Sequence, residues 1–250
     1  PLNAPSQGGH RKLGHDATDR KDIDVTHTHP ARRSTTALTV SSIVLIVIGI
    51  PALAHELIGA IDGAAGSTAA LAVGASSVSA LVGLVFLAWL ARFTPSVLSW
   101  IAAFTWGTGG ALLIAGIGNG VTDAAMETSI SGAQTADVVT SVVTGPLIEE
   151  TAKGIGALIL ILAARKVLQR PAQGAVLGGL VGLGFAWGED IGYYVSALDE
   201  GMGGLWESFL ARALLGGYGH AIFTGVFGYA LAWALLRAKN VFVGIAAGLG

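Results

Sequence analysis

Beyond residue 36 the chain alternates long apolar runs with short polar breaks. The runs are Ala37–Ala54, Ala69–Leu90, Leu98–Ile117, Val138–Ala164, Ala172–Leu198 and Leu205–Leu236, and another opens at Val241. A hydrocarbon core about 30 Å thick needs about 20 predominantly apolar residues in a helix. Lipid offers the backbone no hydrogen-bond partners, so a segment that crosses it must pair its own polar groups. The pattern therefore predicts an all-α fold, a polytopic transmembrane helical bundle with six complete spans plus the start of a seventh. The fourth to sixth runs are longer than a crossing needs, which predicts tilt or projection past the lipid. Two glycine ridges on the fifth run, Gly174/Gly178/Gly182 and Gly184/Gly188/Gly192, predict close helix contacts there.

The first 36 residues break this pattern. They hold six Lys/Arg, four Asp and four of the six histidines, His10, His15, His27 and His29. Such a segment cannot bury a core and is expected to be a disordered cytoplasmic tail, residues 1–36, ahead of a membrane domain spanning 37–250. The chain opens on Pro1, and the run from Val241 does not finish before Gly250. It is expected to be a piece of a longer protein, truncated at the C-terminus.

Composition agrees with the pattern. Hydrophobic residues make up 52% and charged residues 12% of the chain, about half the charged share of a soluble domain. A net charge of −2 supplies no basic field, so nucleic acid is excluded as a partner. With no cysteines, disulfides, thiolate ligands and a cysteine nucleophile are excluded too. Basic residues sit on alternate loops: Arg32 and Arg33, Arg92, then Arg165, Lys166 and Arg170, then Arg237 and Lys239. The other loops carry acids, from Glu56 and Asp62 to Asp199 and Glu200. By the positive-inside rule the N-terminus is cytoplasmic and odd-numbered spans run outward.

Ionisable residues inside the runs are few: Glu149, Glu150 and Lys153 in the fourth, Glu189 and Asp190 in the fifth, Arg212 and His220 in the sixth. Charges in hydrocarbon are costly and mark functional sites by default. At 1.5 Å per residue, Glu150 lies about 18 Å below the outer end at Val138. Glu189 lies about 13 Å below Leu198, and His220 about 20 Å below Glu207. Three spans thus present acids and an imidazole at similar depth. Structural explanations compete. Lys153 can neutralise Glu149 or Glu150 at i+4 or i+3, Arg212 can snorkel, and Asp190 points away from Glu189. Two other patterns are weak. His55-Glu56 lacks the second histidine of a zinc helix, because position 59 is Gly. Gly74-Ala75-Ser76-Ser77 only faintly resembles a serine nucleophile segment.

The motifs are more specific together. Pro146-Leu147-Ile148-Glu149-Glu150-Thr151-Ala152-Lys153 reads P-x-x-E-E-x-x-K. Gly184-Phe185-Ala186-Trp187-Gly188-Glu189-Asp190-Ile191-Gly192-Tyr193 reads G-F-A-x-x-E-[ND]-x-x-Y. Arg212, Gly219-His220-Ala221 and Thr224-Gly225 form the third block. In order and spacing, over residues 140–240, they resemble the PrsW family of intramembrane proteases, related to the CAAX-protease and bacteriocin-processing group. Asp190 stands where that family usually has Asn.

The resemblance implies a bacterial plasma-membrane metallopeptidase. It also implies a membrane-spanning protein substrate, such as an anti-sigma factor cut in its extracytoplasmic part. The catalytic candidates are Glu149, Glu150, Glu189 and His220, supported by Lys153, Asp190 and Arg212. Glu149 or Glu150 is the general base. His220 either binds a metal with Glu189 and the second glutamate (Glu150, Glu189 and His220 as the set) or hydrogen-bonds the oxyanion. Two carboxylates and an imidazole suit zinc by ligand type, and a metal-free glutamate mechanism uses the same residues. The competing class is a proton- or ion-coupled transporter using these carboxylates, and a receptor that kept the scaffold is a third reading. Against transport, the polar residues crowd onto three adjacent spans with no matching set earlier in the chain. Oligomeric state is left open.

Overall fold

A computed structural model describes residues 30–91, 96–129, 138–238 and 240–249. The described residues are helical, with no strand among them. Helix α1 spans Pro30–Ile61 and α2 Gly66–Ala91. Helix α3, Val97–Thr105, continues through a π-helical stretch, Trp106–Ala111, into α4, Leu112–Ser129. A second π-helical stretch, Thr140–Thr144, leads into α5, Gly145–Ala164. Helix α6 is Pro171–Ala197, and a short 3₁₀ turn joins it to α7, Gly201–Ala211. A third π-helical stretch, Arg212–Gly216, opens α8, Gly217–Arg237, and α9 is Val241–Leu249.

The helices match the apolar runs, the third and fourth each passing through a π-helical stretch, with two further differences. The first helix reaches back past Ala37 to Pro30; the rest of the expected tail, residues 1–29, lies outside the described residues. The sixth run is not one α-helix. It divides at Arg212, whose side chain is drawn to acids on α6.

Four helical stretches among the described residues are long and apolar enough to cross a membrane: Thr35–Ile61, Gly66–Ala91, Val97–Met126 and Gly217–Arg237. The other two long helices fall short for identifiable reasons. Helix α5 carries Glu149, Glu150 and Lys153, and α6 has many glycines and two acids.

Helix α6 is the centre of the bundle, with α1, α2, α3, α5 and α8 around it. It is buried almost continuously from Gln173 to Ala186. The first glycine ridge explains the tightest contact. A Cβ on Gly174 would strike the Gly228 carbonyl, one on Gly178 the Thr224 carbonyl, and one on Gly182 the His220 carbonyl. Without side chains, α6 and α8 bring backbone against backbone, which is how membrane helices gain packing energy when lipid is as apolar as leucine. The second ridge is used less evenly. Gly184 meets the Phe104 carbonyl of α3, Gly188 faces Leu112, and Gly192 faces open space.

The polarity of the bundle is reversed relative to a soluble protein. Helix α2 turns Val78, Leu81, Val82, Val85, Phe86 and Trp89 outward and buries Ser76, Ser79 and Gly83. Ser42, Thr108, Lys153, Asp190 and Thr224 are buried inside. An apolar belt of this extent is a liability in water and the ordinary surface of a protein in lipid. The chain is an integral membrane protein.

The serines of Gly74-Ala75-Ser76-Ser77 are anchors. Ser76 Oγ donates to the Trp187 carbonyl at 2.7 Å, and the Trp187 indole N–H donates to Ser77 Oγ at 3.1 Å. Both bonds tie α2 to α6. His55 lines a separate small cavity beside Trp106.

Candidate active site

Three helices supply the polar cluster. Helix α5 places Glu149, Glu150 and Lys153 within its first three turns. Spacings of three and four residues put both glutamates beside the lysine. Lys153 Nζ is 2.7 Å from Glu150 Oε1 and 3.7 Å from Glu149 Oε2. The lysine is fully buried. It is 2.5 Å from His220 Nδ1 on α8 and 4.2 Å above the centre of the Phe185 ring. A buried ammonium needs such compensation: a close carboxylate, a second polar contact and an aromatic face.

Helix α6 contributes Glu189, 3.3 Å from His220 Nε2. Arg212, at the start of the third π-helical stretch, pairs with Glu189 through Nη2 and with Asp190 through Nε. Its guanidinium carbon stacks 3.9 Å from the centre of the Tyr193 ring. Asp190 is therefore not on the same footing as Glu189. Its side chain is only 2% exposed, and the arginine is its charge partner. Thr224 Oγ1 lies 3.4 Å from Glu150 Oε2, and His220 Nδ1 is 3.7 Å from Glu150 Oε1. All seven residues singled out in the sequence thus meet at one place.

The cluster lies a short way along each helix from the neighbouring π-helical stretch or helix end. At 1.5 Å per residue, Glu149 is about 6 Å along α5 from Gly145, and His220 about 5 Å along α8 from Gly217. Glu189 is about 12 Å from the end of α6 at Ala197. The hydrogen bonding of the two runs changes from π to α just before the site, with the chain helical throughout. Such π-helical stretches are frequent at functional sites.

Two residues that were not among the sequence's site candidates hold the site in shape. Trp106, in the first π-helical stretch, donates its indole N–H to the Ala152 carbonyl at 3.1 Å. Its ring fills the space a side chain at Gly156 would need. It thereby fixes α5 in register next to Lys153. Phe185 packs against both Lys153 and His220, with 5.0 Å between the Phe185 and His220 ring centres. Its place in the second motif was the only signal for it.

Glu149, Glu189 and His220 each offer a ligand atom, and these atoms lie within 4.8 Å of one another. This grouping has Glu149 where the sequence suggested Glu150; Glu150 lies nearer to Lys153, at 2.7 Å against 3.7 Å for Glu149. Residues 95–250 match the family model of PrsW family intramembrane metalloproteases. The chain belongs to this family. No curated protein and no solved structure matches it.

Membership makes the protein a membrane-embedded peptidase of the metalloprotease type. The PrsW-family cluster also fits a metal on its own chemistry. Four carboxylates (Glu149, Glu150, Glu189, Asp190) face two basic side chains (Lys153, Arg212), leaving two formal negative charges when His220 is neutral. A divalent cation among Glu149, Glu189 and His220 offsets that excess. Two carboxylates and one imidazole are a common ligand mix for such ions. Arg212 and Lys153, each bonded to a prospective ligand or its neighbour, are the kind of outer contacts that orient metal ligands. Beside these residues a cavity of about 370 Å³ opens between α5 and α8, with Glu149, Glu150 and His220 in its wall.

Proposed function

We propose that this protease cuts membrane-anchored proteins, anti-sigma factors among them, at a site near the outer face of a bacterial plasma membrane. The observation that carries the reading is the convergence of Glu149, Glu189 and His220 beside the paired Glu150 and Lys153. Six complete spans, with the N-terminus cytoplasmic, are part of the same proposal. They are supported by the alternation of basic and acidic loops and by the length of α5 and α6. In that orientation the starts of α5 and α8 and the end of α6 face outward.

In this reading Glu149, Glu189 and His220 hold the metal, with zinc the ion that the ligand types favour. When bound, it supplies a Lewis acid that polarises the scissile carbonyl. The remaining chemistry belongs to the chain. Glu150 lines the cavity and is the most exposed of the site's three glutamates, at 35% against 18% for Glu149 and 21% for Glu189. Lys153 at 2.7 Å keeps it oriented and offsets its charge. Glu150 takes a proton from a water whose oxygen attacks the carbonyl carbon. As the C–N bond breaks, it returns that proton to the leaving nitrogen. Lys153 is too deeply buried to reach substrate, so it positions Glu150 and His220. Arg212 does the same for Glu189.

The test uses purified protein in lipid with a single-span substrate, with zinc content and cleavage measured together. Glu149→Gln and His220→Ala should lose both bound zinc and cleavage. Glu150→Gln should keep zinc and lose cleavage. Retention of full cleavage by all three variants refutes the assignment.

A further inference from the structure

Most glycines on α6 and α8 are accounted for by helix packing, because a Cβ at Gly174, Gly178 or Gly228 would run into a carbonyl of the facing helix. Gly216 and Gly219 are different. A Cβ at Gly216 would meet nothing nearer than the Ala211 carbonyl at 4.0 Å. One at Gly219 would meet nothing nearer than Phe223 Cε2 at 3.9 Å. No intramolecular contact among the described residues requires either glycine. Glycine is common in membrane helices, so its presence alone carries nothing. Its location does: both line the same cavity as Glu149, Glu150 and His220.

Gly219 and Phe223 lie on the face of α8 that carries His220, and Gly216, at the end of the preceding π-helical stretch, lines the same cavity. The facing wall is the first turn of α5, including Pro146. Pro146 on α5 and Phe223 on α8 both line the cavity and are both exposed, so the mouth is apolar on both sides. The cavity thus has a polar, reactive floor, a bare strip of backbone on one wall and an apolar lip.

The cavity holds about 370 Å³. Inside an intact helix each carbonyl is hydrogen-bonded along the axis and screened by side chains, whereas an extended strand exposes the carbonyl that hydrolysis needs.

We propose that the α5–α8 cleft binds the scissile stretch of the membrane-embedded substrate in extended form. Its backbone runs along Gly216 and Gly219, and its apolar side chains lie over Pro146 and Phe223. Gly216 and Gly219 keep the wall low enough for a peptide backbone to approach, and Phe223 sets which side chain is accepted beside the cut. This rests on Glu149, Glu150, Glu189 and His220 being the peptidase centre. A larger groove of about 490 Å³ between α2, α6 and α8 is the competing route, but it lies on the other face of α8, with Ile222 and Gly225 in its wall. It has no ionisable acid or histidine in its lining.

The experiment uses the full chain in lipid nanodiscs, a single-span peptide as probe, and zinc binding as the check on the metal site. Gly216→Val and Gly219→Val should lower kcat/KM by about tenfold or more, the scale on which one or two misplaced methyl groups act in a binding pocket. Zinc affinity should stay within about twofold of wild type. Phe223→Ala should broaden the residues tolerated at the cut. Gly74→Val, on α2 with nothing within 4 Å of its Cβ, should cleave like wild type. Independently of turnover and of the glycine variants' folding, a photo-crosslinking amino acid at Phe223 should capture the probe, and one at Ile222 should not.

Wild-type rates in both valine variants would overturn the cleft assignment. Capture from position 222 alone, or loss of cleavage only when Ile222→Trp fills the larger groove, would overturn it in favour of the other route. Failure of the underlying reading looks different: wild-type protein then cleaves no membrane peptide, while the crosslinking arm still reports where the probe binds.

Discussion

Arg212 offers the sharpest test of how the site is held. Arg212→Met removes the charge partner of Asp190, whose side chain is 2% exposed, and frees Glu189 from its anchor. Breaking a buried pair from one side typically costs about 3–5 kcal/mol, because the surviving charge is left without compensation. Loss of the stack on Tyr193, itself 51% exposed, adds only about 0.5–1 kcal/mol. The single variant should therefore lose about 3–5 kcal/mol in reversible unfolding in mixed micelles. Adding Asp190→Asn removes the orphaned charge and leaves at most an unsatisfied amide, worth about 1–3 kcal/mol. The double variant should thus be more stable than Arg212→Met alone, a favourable coupling of about 2 kcal/mol. Stability recovery should not restore function fully, because Glu189 still lacks its anchor. Loss of such an outer contact typically weakens metal binding or activity by about 10–100-fold. The reasoning fails if Arg212→Met costs under about 1 kcal/mol, or if Asp190→Asn makes it worse.

Other predictions address neighbouring parts of the site. Trp106→Phe leaves the Ala152 carbonyl without its indole donor, so unfolding should show a loss of about 1–3 kcal/mol. Gly182→Ala pushes a methyl group into the His220 carbonyl. Overpacking of this kind costs about 1–3 kcal/mol, and zinc titration should show weaker binding because the histidine's own backbone is displaced. Lys153→Met leaves Glu150 without its partner at 2.7 Å. Cleavage should fall by about 10²–10⁴-fold, the range assigned to a positioned acid–base group, with the larger effect on kcat. Chelation of the metal should abolish cleavage by wild-type protein and added zinc should restore it, read by peptide release.

Much of this was legible along the chain. Helical class and membrane insertion follow from the apolar runs, since lipid admits few backbone arrangements. Glu149, Glu150, Lys153, Glu189, Asp190, Arg212 and His220 stand out in sequence because charges are rare in such runs, and the three motifs containing them resembled one family. The Gly174, Gly178 and Gly182 ridge also announced a helix contact, because small residues at four-residue spacing serve few other ends.

What the sequence could not decide was how these residues share one another. Adjacent glutamates look alike in a motif. Lys153 can reach either from its place on the same helix, and only the approach of α8 to α5 and α6 groups Glu149 with Glu189 and His220. Trp106 and Phe185 were invisible as site residues because their roles come from contacts between helices far apart in the chain. The π-helical stretches at Thr140–Thr144 and Arg212–Gly216 escaped too, since hydropathy does not register a change from α to π hydrogen bonding. Composition and periodicity record what each segment needs from its solvent, and so the sequence by itself determined the helices, their lipid setting and the candidate chemistry. Pairing among charges depends on distances across helices, and those the tertiary structure alone decides.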